Sequence, residues 1–227
     1  MTGALRPYVS SDRAAVAEVC VRTAAAGGDA RGRYSDDLLM PDVYALPYVD
    51  LEPESAFVVV QPDLDVDGAD GHDTALRVRD GVVAGYVIAT ADTARFVERW
   101  RREWTPGFLA RHPQPAPAPA EGGPAYSEAQ LWHDGVHPER LLAPGEQALA
   151  AFPAHLHIDL LPRAQRQGWG RRMVAALCAN LAARGVPGVH LSYDPANTGA
   201  RTFYDRLGFV ELPASTAAAP LMGLRTA

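Results

Sequence analysis

The chain has 227 residues, 48% of them hydrophobic, and a formal net charge of −6. That length can bury one sizeable core, and the acidic balance argues against nucleic acid as the main partner. All 21 basic residues are arginine, which excludes Schiff-base chemistry and phosphate loops built around a lysine.

Elements alternate along the chain. Leu5 to Val9 reads as a first strand, and Asp12 as the N-cap of a helix carrying Ala15, Val16, Val19 and Cys20. Residues 27–35 are a Gly/Asp/Arg loop, and Asp36 to Leu46 suits a shorter helix. Ala56 to Val60 is a β-branched run and so a buried strand. Asp80-Gly81 signals a hairpin before a strand over Val82 to Thr90. Asp92 to Trp104 reads as a helix, and the alternating prolines of His112 to Pro119 as an extended surface segment. Asp63-x-Asp65-x-Asp67-Gly68 starts like a calcium loop, but the twelfth position is Thr74 rather than Glu. No metal is expected. Cys20 and Cys178 fall on apolar helical patterns and read as buried thiols of a reducing compartment. No signal peptide or membrane span is evident, so a cytoplasmic protein is expected.

The most specific stretch is Gln165-Arg166-Gln167-Gly168-Trp169-Gly170-Arg171. It lies between a strand pattern, Leu156 to Leu161, and an amphipathic helix pattern carrying Met173, Val174, Leu177, Cys178 and Leu181. A strand, a glycine turn and a helix start make an anion cradle, because the first helical N–H groups lack partners and face the positive end of the helix dipole. The third glycine of a dinucleotide fingerprint is absent, since Met173 occupies its position.

Gln165-x-x-Gly168-x-Gly170 resembles the acetyl-CoA loop of the GNAT superfamily of N-acetyltransferases. Asn197-x-x-Ala200-x-x-Phe203-Tyr204-x-x-Leu207-Gly208-Phe209 resembles the second half of the same signature. Phe152 to Pro162 is similar to a branch that holds bacterial acetyltransferases and the acetyltransferase-like domain of O-GlcNAcase, and Gly28 to Tyr48 has the same likeness. The resemblance implies one α/β (α+β) domain over 1–227, with loop excursions at about 61–75 and 105–150. It implies a mixed, mostly antiparallel sheet of about six to seven strands with a splayed central pair, flanked by about four or more helices.

It also implies an acetyl-CoA-dependent N-acetyltransferase, acting directly on an amine of a small molecule, an amino sugar or a protein. The alternative is a module of the same fold that binds acetyl-CoA or a protein partner without turnover. Leu160, Leu161, Gln165, Arg166, Gln167, Gly168, Trp169, Gly170, Arg171, Asn197 and Tyr204 would hold acetyl-CoA, as a monomer or a homodimer. Tyr204 would protonate the leaving thiolate. Strand alternation places His155, His157 and Asp159 on one face. That trio reads as a cluster propping the core, as the floor of an acceptor pocket, or, least of all, as a metal site. On the pocket reading, His157 and Asp159 accept the amine proton. Asp29, Tyr34 and Tyr48, with Asp36, Asp37 and Tyr44 nearby, would meet the acceptor.

Overall fold

A computed structural model of the protein describes residues 3–62, 71–115 and 127–227. The calcium-like run 63–70 and the proline-rich run from 116 lie outside the described residues. β1 (Ala4–Pro7) leads into α1 (Arg13–Thr23), α2 (Pro41–Tyr44) and α3 (Leu46–Leu51). β2 (Ala56–Gln61), β3 (Arg77–Val78) and β4 (Gly81–Thr90) follow. A helical run then passes from α4 (Thr93–Arg99) through a π-type turn (Trp100–Trp104) into α5 (Thr105–Arg111). After α6 (Glu128–Val136) and α7 (Glu146–Ala151) come β5 (Ala154–Leu160), α8 (Trp169–Ala183), β6 (Gly188–Ser192), α9 (Thr198–Arg206), β7 (Val210–Glu211) and β8 (Leu221–Arg225).

One eight-stranded sheet runs β1-β2-β4-β5-β6-β8-β7, with β3 hairpinned onto β4. All pairings are antiparallel except β5 with β6. The short β3 and β7, two residues each, take the count beyond the expected range.

Each face of the sheet covers a separate core. Helices α1 to α5 lie over one, with Val16, Tyr48, Phe96, Trp100 and Phe108 at its centre. Helices α8 and α9 lie over the other, with Met173, Leu177, Leu181 and Tyr204. Strand β4 serves both, and its alternation changes phase once. Tyr86 and Ile88 face the first core while Val87 and Ala89 face the second. Before Gly85 the phase has slipped, with Val83 in the first core and Ala84 in the second, while Val82 near the strand's start packs on the first core too. The cause is a bulge: Val59 pairs with Gly85 but Val60 with Val83, which leaves Ala84 unopposed. Gly85 is needed beside it, because a Cβ there would sit 2.5 Å from Leu160 Cδ2 and 2.6 Å from Asp159 O.

The described residues of the region expected as a loop excursion, 105–115 and 127–150, are largely helical. The indoles stitch it down: Trp100 Nε1–H donates to Gly135 O (2.9 Å), Trp104 to Asp42 O (3.0 Å) and Trp132 to His112 O (3.1 Å). Buried His112 closes α5, its Nε2 2.7 Å from Asp42 Oδ2 and its Nδ1 3.3 Å from Asp36 Oδ2. Asp12 is not a side-chain cap for α1. It is buried, accepts the Val9 N–H (2.9 Å) and pairs with Arg6 (2.6 Å). The helix expected over Asp36 to Leu46 starts later, at Pro41, and is interrupted at Ala45.

Candidate active site

Strand β5 carries the site. Its pairing with β6 is limited to Ala154↔Val189 and His155↔His190, after which the strands part. A wedge therefore opens beside residues 157–160, where β5 still pairs with β4 on its other edge. Leu161 N–H is spent on Ala84 O at 2.9 Å. Alternation then turns the Leu160 N–H toward the wedge. Of the pair expected to offer N–H groups, Leu160 keeps its donor and Leu161 does not. Leu160 O accepts from Gln165 Nε2 at 2.9 Å, which ties the strand end to the glycine turn.

The turn itself is left-handed twice, at Arg166 (φ 58) and Gly168 (φ 80). Gly168 is the N-cap of α8, and the first helical bond of the turn runs from Arg172 N–H to Gly168 O at 3.2 Å. The N–H groups of Trp169, Gly170 and Arg171 precede that bond, so they have no carbonyl to serve. They are the donors an anion cradle requires. The side chains do other work. Gln167 bonds Arg163 O (2.6 Å) and receives the Trp169 Nε1–H (3.3 Å). Trp169 is buried in the second core with Arg172 over its ring at 4.2 Å, so the indole props the turn from below rather than covering a ligand. Gly170 is small for packing, since a Cβ would lie 2.7 Å from the Phe203 ring. Asn197 begins α9 without a side-chain cap bond, and among the described residues its amide has no hydrogen-bond partner.

A cavity of about 550 Å³ opens along the wedge. His155, His157 and Asp159 line it from β5, Cys20 and Thr23 from α1, and Tyr193 and Asn197 from the β6–α9 side. Asp134, Arg140 and Leu141 come from the helical region that sequence reasoning took for an excursion. The signals that segment carried were the Ser127-x-x-Gln130 cap spacing and the apolar pair Leu131 and Trp132. Of the expected acceptor residues, Asp29 pairs with Arg31 (2.7 Å) on an exposed loop, and neither it nor half-buried Tyr34 is among the lining. Tyr48 is fully buried behind the lining, its hydroxyl 2.7 Å from His155 Nε2 and 3.0 Å from His157 Nε2. Tyr44 does line the cavity, and its hydroxyl donates to Asp134 Oδ2 at 2.6 Å.

Electrostatics sort the polar trio. Burial raises the Asp159 carboxyl, although Tyr86 donates to its Oδ2 at 2.6 Å and pulls the other way. Burial, and then the positive charge of Arg140, lowers the His157 imidazole to about 3, so it is neutral at physiological pH. His155 is lowered as well, first by burial and then by its histidine neighbours. Among the described residues, no group of three or more His, Cys, Asp or Glu is placed to hold a metal ion. Tyr204 is buried between Tyr193 (5.8 Å) and Phe209 (5.3 Å). Burial raises its hydroxyl, which stays protonated. Among the described residues that hydroxyl has no hydrogen-bond partner, and Tyr204 is not one of the residues that line the cavity. No described helix is long and apolar enough to cross a membrane.

Residues 155–217 match the family model described as FR47-like protein. A solved structure called SsHAT is 44% identical over 100% of both chains, with a TM-score of 0.79. Two more distant structures share the fold. A GNAT phosphinothricin acetyltransferase from Sinorhizobium meliloti, in complex with AcCoA, is 14% identical over 99% of this chain and 89% of that one, with a TM-score of 0.50. The PaiA N-acetyltransferase from Thermoplasma acidophilum, in complex with coenzyme A, is 10% identical over 99% of both chains, with a TM-score of 0.51. With the splayed β5–β6 pair and the bare turn at α8, these likenesses place the chain in the GNAT superfamily of N-acetyltransferases.

Proposed function

We propose that this chain transfers the acetyl group of acetyl-CoA directly to the nitrogen of an amine. The observation that carries the reading is the parting of β5 from β6 after His155, with the polar face of β5 lining the cavity there and the unpaired N–H groups of α8 following the same strand in the chain. The chain's donors fit the ligand. Three bare N–H groups and the Arg171 and Arg172 side chains suit a diphosphate, and the Leu160 edge and Asn197 amide suit the amide-bearing arm. Acetyl-CoA supplies an activated thioester carbonyl. Carboxylates from Asp134, Asp159 and Asp194 against the single Arg140 favour a cationic acceptor.

The acceptor must shed a proton before attack. An alkylamine with a pKa near 10.4 is neutral to about one part in a thousand at pH 7.4, a penalty of roughly 4 kcal/mol. Asp159, raised by burial, is the better matched base for that first proton. The Leu160 N–H stabilises charge on the carbonyl oxygen during attack, and the Tyr204 hydroxyl protonates the departing thiolate.

A coupled test separates this reading from the non-catalytic one. Calorimetry with acetyl-CoA should show binding, and a thiol-release assay across polyamines, amino sugars and lysine peptides should show amine-dependent turnover. Tight binding with no release for any amine assigns the chain to a binding role.

A further inference from the structure

The buried tyrosine behind the cavity sits in a hydrogen-bond chain whose direction is fixed at one end. Pro153 O only accepts, and the Thr93 hydroxyl lies 2.7 Å from it, so the single hydroxyl proton is committed there. His155 Nδ1, 2.8 Å from Thr93 Oγ1, must then be the donor of that contact. A neutral His155 has a bare Nε2, which accepts the Tyr48 hydroxyl proton across 2.7 Å. Tyr48 oxygen has no further proton to give, so His157 Nε2, 3.0 Å away, donates to it. A neutral His157 with its proton on Nε2 has a bare Nδ1. Among the described residues that nitrogen has no hydrogen-bond partner, and it is not sealed from solvent. It therefore faces the cavity that His157 lines.

We propose that Thr93, His155 and Tyr48 are positioning residues that hold His157 in the one tautomer whose free nitrogen, Nδ1, takes a proton from the reacting amine. The inference rests on the acetyl-transfer reading and adds the residues that aim its base.

The surroundings fit that task. Tyr44 of α2 (ring centroid 5.9 Å away), Tyr48 of α3 (5.0 Å) and His155 of β5 (6.2 Å) face the His157 ring. Arg140, Asp134, Asp159 and Asp194 bring the charges around the same cavity, and His190 of β6, Tyr193 beyond it and Cys20 of α1 its remaining titratable groups. A base made weak by burial and Arg140 does not strip a free alkylammonium. It suits the adduct, whose nitrogen is a far stronger acid once bonded to the acyl carbon. The steps balance as follows. The acceptor enters neutral, its first proton lost to Asp159. The N–C bond forms as the carbonyl pair moves onto oxygen. The second N–H proton passes to His157 Nδ1. The carbonyl then re-forms, C–S breaks, the thiolate leaves with the pair and takes the Tyr204 proton. Solvent then takes the protons from Asp159 and His157 and returns one to Tyr204, so that one proton is released per turnover.

The test reads tautomers and rates separately. In ¹⁵N-histidine spectra at neutral pH, His155 should carry its proton on Nδ1 and His157 on Nε2. Tyr48→Phe keeps the ring stacked on Phe96 (4.7 Å) but removes both bonds. It should mix the His157 tautomers and lower kcat roughly tenfold or more, a share of the 10²–10⁴ a positioned base supplies, with acetyl-CoA affinity unchanged. Thr93→Val should scramble the His155 tautomer, and Thr93→Ser should preserve it. A His157 bearing its proton on Nδ1, or a Tyr48→Phe protein with wild-type tautomers, overturns the proposal. Assigned tautomers in a protein that releases no thiol with any amine would sink the acetyl-transfer reading instead and leave the chain's direction standing.

Discussion

Gly168→Val tests the cradle, and its cost divides into two parts. Gly168 sits at φ 80, ψ 1, and a Cβ added there meets nothing within 4 Å. The protein itself therefore has room for the side chain. What remains is conformational strain, about 1–2 kcal/mol for an L-residue in the left-handed region and more for a branched one. For a chain of this size that lowers Tm by roughly 2–8 °C. The larger effect falls on the ligand, because the empty space beside the turn is where a diphosphate would approach. Displacing it from two N–H groups, at about 1.5–3 kcal/mol for each bond to a charged partner, removes roughly 3–6 kcal/mol. That is a loss of about 10²–10⁴ in affinity. Calorimetry with acetyl-CoA measures it. Gly185→Val, at the far end of α8 with φ 74 and equally open space, should impose the same strain and leave binding intact. S-acetylpantetheine, which lacks the diphosphate, should bind wild type and Gly168→Val alike. Wild-type acetyl-CoA affinity in Gly168→Val, or an equal loss for both ligands, refutes the cradle.

Tyr204→Phe retains the ring contacts with Tyr193 and Phe209, so folding and acetyl-CoA binding should persist while kcat falls by about 10² or more; an undiminished kcat removes the acid role. His155, His157 and His190 are all held below the ordinary imidazole value, mainly by burial. The unfolded chain then binds more protons than the folded one below about pH 6.5, so stability falls as the pH drops through that window. For His157 the window reaches down to about 3. His157→Gln should flatten the dependence of the urea midpoint between roughly pH 4 and 6, and a curve parallel to wild type contradicts the assignment. Gly135→Ala puts a Cβ 2.2 Å from the Phe108 ring. Overpacking of that kind costs about 1–3 kcal/mol, read as a lower urea midpoint, and an unchanged midpoint means that Phe108 can move aside.

Local pattern carried most of the second half of the chain. The β5–turn–α8 unit was legible because Leu156, Ile158 and Leu160 keep period two and Met173, Val174, Leu177 and Leu181 keep a helical period, with glycine between them. Gly208, at φ 89, follows α9 in the left-handed conformation that closes many helices. The trio on β5 was legible as a face, but not its partners. Tyr48 is 107 residues from His155 in sequence and 109 from His157, and no periodicity reports such a pairing. Short helices were the other blind spot. α6 and α7 span nine and six residues, too little for a repeat to emerge, and α6 is tied to the fold by indole bonds to and from it. Asp12 misled for a related reason: its carboxylate serves Arg6, not the helix it precedes.

The extra residue at Ala84 works as a phase shifter for β4. Just upstream of it Val83 answers to the first core, and downstream Tyr86 and Ile88 do. A continuous ladder without that slip would rotate Tyr86 and Ile88 toward α8. It would also deprive Asp159 of the hydroxyl that now steadies it. One spare peptide thus lets a single strand be ordinary scaffold at its start and the brace of a buried carboxyl at its end.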